Sequence, residues 1–130
     1  MGKWNVDTAS VPGLLRLTLE GRFTLEEMTA FVEAHNRAID EYGGADYKVW
    51  CDISQMLTLS LECAGMLEKA KEYSGAHKNF RGSAVLVSNA LIASQHRRTS
   101  VEGGVMSTEL ISQDVEALQL HLRTVYRRSE

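Results

Sequence analysis

The chain has 130 residues, 44% of them hydrophobic and 24% charged, with a net charge of -3 at neutral pH. That is the size of one domain with enough apolar mass for a core, and the negative balance excludes a protein built to neutralise bulk phosphate, as nucleic-acid binders are. No apolar run approaches the roughly 18 to 20 residues of a membrane span, and the segment from Met1 to Asp7 lacks the apolar stretch of a secretory signal, so a single cytoplasmic domain over residues 1–130 is expected.

Trp4 and Val6 alternate with Asn5 and Asp7, the period of a strand. Val11-Pro12-Gly13 predicts a tight turn, because proline presets φ and glycine accepts a positive one. Leu15, Leu17 and Leu19 then alternate with Arg16, Thr18 and Glu20, so the two segments are expected to pair as an antiparallel hairpin. Thr24-Leu25-Glu26-Glu27 has the spacing of a capping box. Met28, Phe31, Val32, His35, Ala38, Ile39 and Tyr42 follow on one helical face, ended by Gly43-Gly44.

Val49 to Ile53 and Ala84 to Val87 are short apolar runs of the kind found in strands covered on both faces. Between them Leu59, Cys63, Met66, Leu67, Ala70 and Ser74 fall on a helical face, with Gly75 as a stop. Asn89 is placed to cap a helix carrying Ile92, Ala93 and His96, and Gly103-Gly104 breaks it. A weak edge strand is expected within Val105 to Ile111. A last helix capped by Ser112 follows, with Val115, Leu118, Leu122, Val125 and Tyr126 on one stripe and Arg127-Arg128 at its end. The predicted fold class is α/β: one mixed sheet that opens with the hairpin, continues in parallel strands and is linked by crossover helices.

Sites in such sheets form at the carboxyl ends of the parallel strands. That rule selects Asp52, Ser54, Thr58 and Ser60 from the end of the first central strand onward, and Ser88 and Asn89 after the second. The same residue types also serve as turn formers and helix caps. No catalytic set stands beside them. Cys63 falls on an apolar stripe and Cys51 inside a strand, His35 reads as a core histidine, and His35, His77, His96 and His121 have no metal-ligand spacing. The basic residues His77, Lys78, Arg81, His96, Arg97 and Arg98 offer the one notable charge cluster, either an acidic-partner grip or a solvated surface. No phosphate loop or nucleophile elbow occurs, so neither a cofactor, a metal nor an enzymatic reaction is expected.

The run from Leu15 to Thr24, followed by a long helix, resembles the opening of STAS domains, the fold of anti-sigma-factor antagonists and sulphate-transporter tails. Val49-Trp50-Cys51-Asp52-Ile53-Ser54 is similar to that family's third strand with its Asp-aliphatic-Ser step, and Ala84 to Val87 to the next strand. Glu116-Ala117-Leu118 resembles the terminal helix of the SpoIIAA-like group, small bacterial proteins related to STAS and, in fold, to CRAL-TRIO lipid carriers. The resemblance implies a regulatory module that binds another protein through residues 52 to 65 and the Ser88-Asn89 loop. A homodimer through an edge strand or the last helix is a further form of partner. A carrier of a small apolar ligand, with Met56, Leu57, Leu59, Leu61 and Met66 around it, is the alternative. Where the antagonists carry a phosphorylated serine before a glycine, this chain has Glu62-Cys63-Ala64-Gly65, which leaves Ser54, Thr58 and Ser60 as the hydroxyls able to replace it.

Overall fold

A computed structural model describes residues 1–128, with side chains through residue 124. Lys3–Asp7 (β1) and Leu14–Gly21 (β2) pair antiparallel, with Trp4 opposite Leu19 and Val6 opposite Leu17. The turn between them closes through Leu14 N–H donating to Val11 O, with Gly13 at φ 72°. That left-handed value is open to glycine, so the Pro-Gly pair marks the turn as expected.

Leu25–Glu41 (α1) starts at the predicted capping box: Glu27 N–H donates to Thr24 Oγ1 at 3.1 Å and Thr24 N–H to Glu27 Oε1 at 2.9 Å. Then come Tyr47–Met56 (β3), Leu61–Gly75 (α2), Phe80–Leu86 (β4) and Ala90–Gly103 (α3). A single 3-10 turn, Met106–Thr108, leads to Glu109–Ser112 (β5) and Val115–Arg128 (α4). The weak edge strand thus begins four residues later than Val105. The last helix is capped not by Ser112 but by Asp114, whose Oδ1 accepts from Glu116 N–H at 3.0 Å and Ala117 N–H at 3.3 Å. Ser112 instead takes Asp114 N–H, one step outside the helix. The side chains of Val125, Tyr126, Arg127 and Arg128 lie outside the described residues.

The sheet runs in the order β1-β2-β3-β4-β5, parallel from β2 to β5. Helices α1, α2 and α3 pack side by side on one face, and α4 covers β4 and β5 on the other. This division explains the strand patterns. Leu15, Leu17, Leu19, Cys51, Ile53, Val85 and Val87 point into the larger core under α1–α3. Leu14, Trp50, Ala84 and Leu86 point toward Leu118 and Leu122 of α4. β3 was expected to be covered on both faces. It is fully buried only on the α1–α3 side, and Trp50, Asp52 and Ser54 on the other face are half-buried because α4 reaches only part of the sheet.

Tyr47 anchors the large core. It is fully buried, stacks on Tyr42 with ring centroids 5.0 Å apart, and its hydroxyl meets Ser74 Oγ at 3.0 Å. Burial pushes its pKa up to about 12. Among the described residues no helix is long and apolar enough to cross a membrane.

Candidate functional site

Because β2 to β5 are parallel, their carboxyl ends and the starts of α1 to α4 share one edge. β3 and β4 are neighbours, so the loop from Leu57 to Ser60 lies beside the loop from Val87 to Asn89. The connection is held by a residue the sequence reading did not single out. Gln95, one turn into α3, donates its Nε2 to Leu59 O at 2.8 Å and accepts Leu59 N–H at Oε1 at 2.9 Å. An amide side chain reproduces the two bonds of a strand partner, and so fixes a loop that has no ladder of its own. Nothing in an isolated glutamine signals that.

The predicted site residues divide into three positions. Asp52 and Ser54 lie not on the edge loop but inside β3, which continues to Met56. Asp52 sits in register with Thr18 and Leu86, and its Oδ1 accepts Ser54 Oγ–H at 2.6 Å and Ser54 N–H at 2.9 Å. Ser60 is exposed and caps α2, its Oγ accepting Cys63 N–H at 3.1 Å, while Thr58 is exposed in the same loop. Asn89 caps α3 through Ile92 N–H at 2.9 Å, and its amide reaches Ser88 Oγ at 3.3 Å. The fold therefore brings Thr58, Ser60, Ser88 and Asn89 to one edge, with Asp52 and Ser54 on the adjoining sheet face.

Around these polar residues the edge exposes leucines. Leu61 is 86% exposed and Leu91 67%, with Leu57 and Leu25 at 48% and 44%. Leu25 and Leu61 are the first residues of α1 and α2, and Leu91 the second of α3. Leu25 and Leu61 directly follow the caps Thr24 and Ser60, and Leu91 stands two residues after the cap Asn89, where a side chain turns away from the core. The sequence signal was an apolar residue just after a cap, out of phase with the stripe that follows.

Both cysteines, His35 and His96 are buried. Cys63 is buried in the first turn of α2 with its Sγ 3.7 Å from Phe23 O. Burial raises the Cys51 thiol to about 12, which keeps it protonated. His35 is buried, its Nδ1 2.9 Å from Asn36 Oδ1. The basic cluster is not assembled as the sequence suggested. His96 faces the core, and Arg81 pairs with Asp46 at 3.0 Å, which leaves Lys78, Arg97 and Arg98 as its exposed members.

A polar group missed in the sequence lies inside the large core. Lys71 Nζ donates to His96 O at 3.2 Å, to Ser100 Oγ, and to Glu109 Oε1 at 3.4 Å. Glu109 also accepts from Ser100 Oγ and, at 3.1 Å, from Ser83 Oγ. Lys71 follows Leu67 by one helical repeat, so the stripe itself placed it inward. Desolvation lowers its pKa, with the Glu109 carboxylate acting against that shift. A cavity of about 40 Å³ adjoins this group, and Met56, Leu57, Leu59, Leu61 and Met66 do not line it. Its size suits water molecules, well below the ~150 Å³ of an engineered cavity that admits benzene.

No protein-family model matches the chain, and no curated protein matches it. The architecture nonetheless defines a class: the protein has a SpoIIAA-like fold. An uncharacterised protein with a SpoIIAA-like fold from Shewanella loihica PV-4, of the DUF3478 family, superimposes with a TM-score of 0.64 at 16% identity, over 91% of this chain and 90% of that one. An anti-sigma factor antagonist from Mycobacterium paratuberculosis superimposes with a TM-score of 0.61 at 15% identity, over 95% of each chain.

Proposed function

We propose that this protein is a non-catalytic regulatory module that docks another protein through the edge formed by the starts of α1, α2 and α3. The observation that carries this reading is the exposure of Leu25, Leu57, Leu61 and Leu91 at one end of the molecule. Apolar side chains from separate segments that converge on one polar-rimmed edge are the mark of an interaction surface. Asp52, Ser54, Thr58, Ser60, Ser88 and Asn89 supply the polar rim. The fold shared with an anti-sigma factor antagonist supports a protein as the partner.

Where the antagonists carry their phosphorylated serine, this chain has Cys63, a buried thiol in place of a hydroxyl. Thr58 is exposed ahead of α2, where the helix N-terminus favours an added phosphate. A protein partner recovered by native mass spectrometry from the host cells is the starting reagent. The Leu61→Asp/Leu91→Asp double variant should keep the wild-type melting temperature and lose that partner. Retained capture by the folded double variant would sink the reading.

A further inference from the structure

The cavity in the large core is walled by residues of β2 to β5 and of α1, α2 and α3. Its polar members are His35, Lys71, Ser74, Ser83, His96 and Glu109. Each of five of the six has a polar atom engaged in a hydrogen bond. Lys71 spends its ammonium on His96 O, Ser100 and Glu109, and Glu109 takes Lys71, Ser100 and Ser83. Ser74 Oγ meets the Tyr47 hydroxyl, and His35 Nδ1 meets Asn36.

His96 is different. Its backbone carbonyl accepts from Lys71 and Thr99, but its ring Nδ1 is buried and has no hydrogen-bond partner in the protein. The residue is 3% exposed, so bulk water does not supply the bond. Buried polar atoms in folded proteins are nearly always satisfied, and ordered water is the usual partner where the protein offers none. The cavity beside this ring holds about 40 Å³. One water needs roughly 10–15 Å³ and two to four polar neighbours. The hydroxyl oxygens of Ser74 and Ser83 each keep acceptor capacity beyond the bond they already make.

We propose that the cavity is a site for internal water, bound to the His96 imidazole and shared with the hydroxyls that line the same space. The water completes the polar group that ties α2, α3, β4 and β5 together. The inference is independent of the docking edge, since none of the exposed leucines lines this cavity.

Two measurements on the full chain test it. In wild-type protein with ¹⁵N-labelled histidine, the His96 ring should show magnetisation transfer from a long-lived water, and ¹⁷O relaxation dispersion should report at least one such molecule. Xenon should leave the ring and methyl resonances around the cavity unshifted, because a hydrated cavity does not take a noble gas. His96→Phe should lose the long-lived water and begin to bind xenon. A wild-type cavity that takes up xenon and shows no water transfer to His96 overturns the proposal, and so does dispersion that is unchanged in folded His96→Phe. Should that variant fail to fold, the wild-type transfer and xenon experiments decide alone.

Discussion

Lys71 Nζ lies 3.4 Å from Glu109 Oε1 with both side chains almost out of solvent, 9% and 4% exposed, so the fold joins α2 to its last strand by an ion pair inside the core. A buried pair of this kind resists removal of one partner more than removal of both, because a lone charge is left without water. Lys71→Met should destabilise by about 3–5 kcal/mol. Lys71→Met/Glu109→Gln should cost less than the sum of the single changes, with a coupling of at least ~1 kcal/mol. Urea denaturation of the four proteins closes the cycle, and simple additivity would show that the pair does not act as a unit.

Acid should unfold the protein earlier than its surface carboxylates require. Burial holds His35 below the usual histidine value, and burial together with Lys71 holds His96 well below it. Both therefore bind fewer protons folded than unfolded once the pH drops below about 6.5. Stability should be level above pH 7 and fall as the pH drops, by about 1.4 kcal/mol per pH unit for each histidine until its folded pKa is reached. Asp7 and Glu27, lowered chiefly by hydrogen bonds from Ser10 and Thr24, act in the same direction at more acid pH. Denaturant midpoints at pH 7.5, 6.0 and 5.0 test the window, and a flat profile across it would contradict the buried, neutral histidines.

Gly103→Ala should be poorly tolerated although the position is helical and alanine favours helices. A Cβ there would stand 2.7 Å from Lys71 Cβ and 3.1 Å from Glu68 O, both fixed parts of α2. Overpacking of this sort costs about 1–3 kcal/mol. Gly65→Ala in the same fold meets nothing within 4 Å and provides the control. Equal melting temperatures for the two variants would rule out a tight α2–α3 crossing.

Ser60 and Leu61 are adjacent and should respond oppositely. Ser60→Ala removes the cap of α2 and should cost about 1 kcal/mol. Leu61→Asp alters an exposed side chain and should change stability by no more than ~0.5 kcal/mol, with partner capture as the property lost. Thermal melts and capture by the same two variants separate the roles.

Much of the frame could be read before folding. The Thr24–Glu27 box, the Pro12-Gly13 turn, the Asn89 cap and the strand–helix order all rest on contacts within a few residues, and these the sequence carries locally. The misreadings arise where local signals compete or where a neighbour from far along the chain intervenes. Ser112 gave way to Asp114 because two acceptors compete within three positions of one helix start. Ser54 moved from the edge loop into β3, and Asp52 away from its end, because Glu20 and Gly21 of β2 extend the ladder past the apolar run. His96 left the basic cluster because the helix phase that aligns it with Ile92 turns it inward.

By itself the sequence determined the secondary elements, the mixed sheet and the edge at which polar loop residues gather, since periodicity, caps and chain order are local or one-dimensional properties. Only the tertiary structure decided that Gln95 serves as the strand partner of Leu59, that Lys71 meets Glu109 across 38 residues, and that an imidazole nitrogen is left facing no protein partner. Those relations depend on how α2 and α3 settle against β4 and β5. That packing is set by the summed burial of the whole core, and no short segment of sequence encodes it.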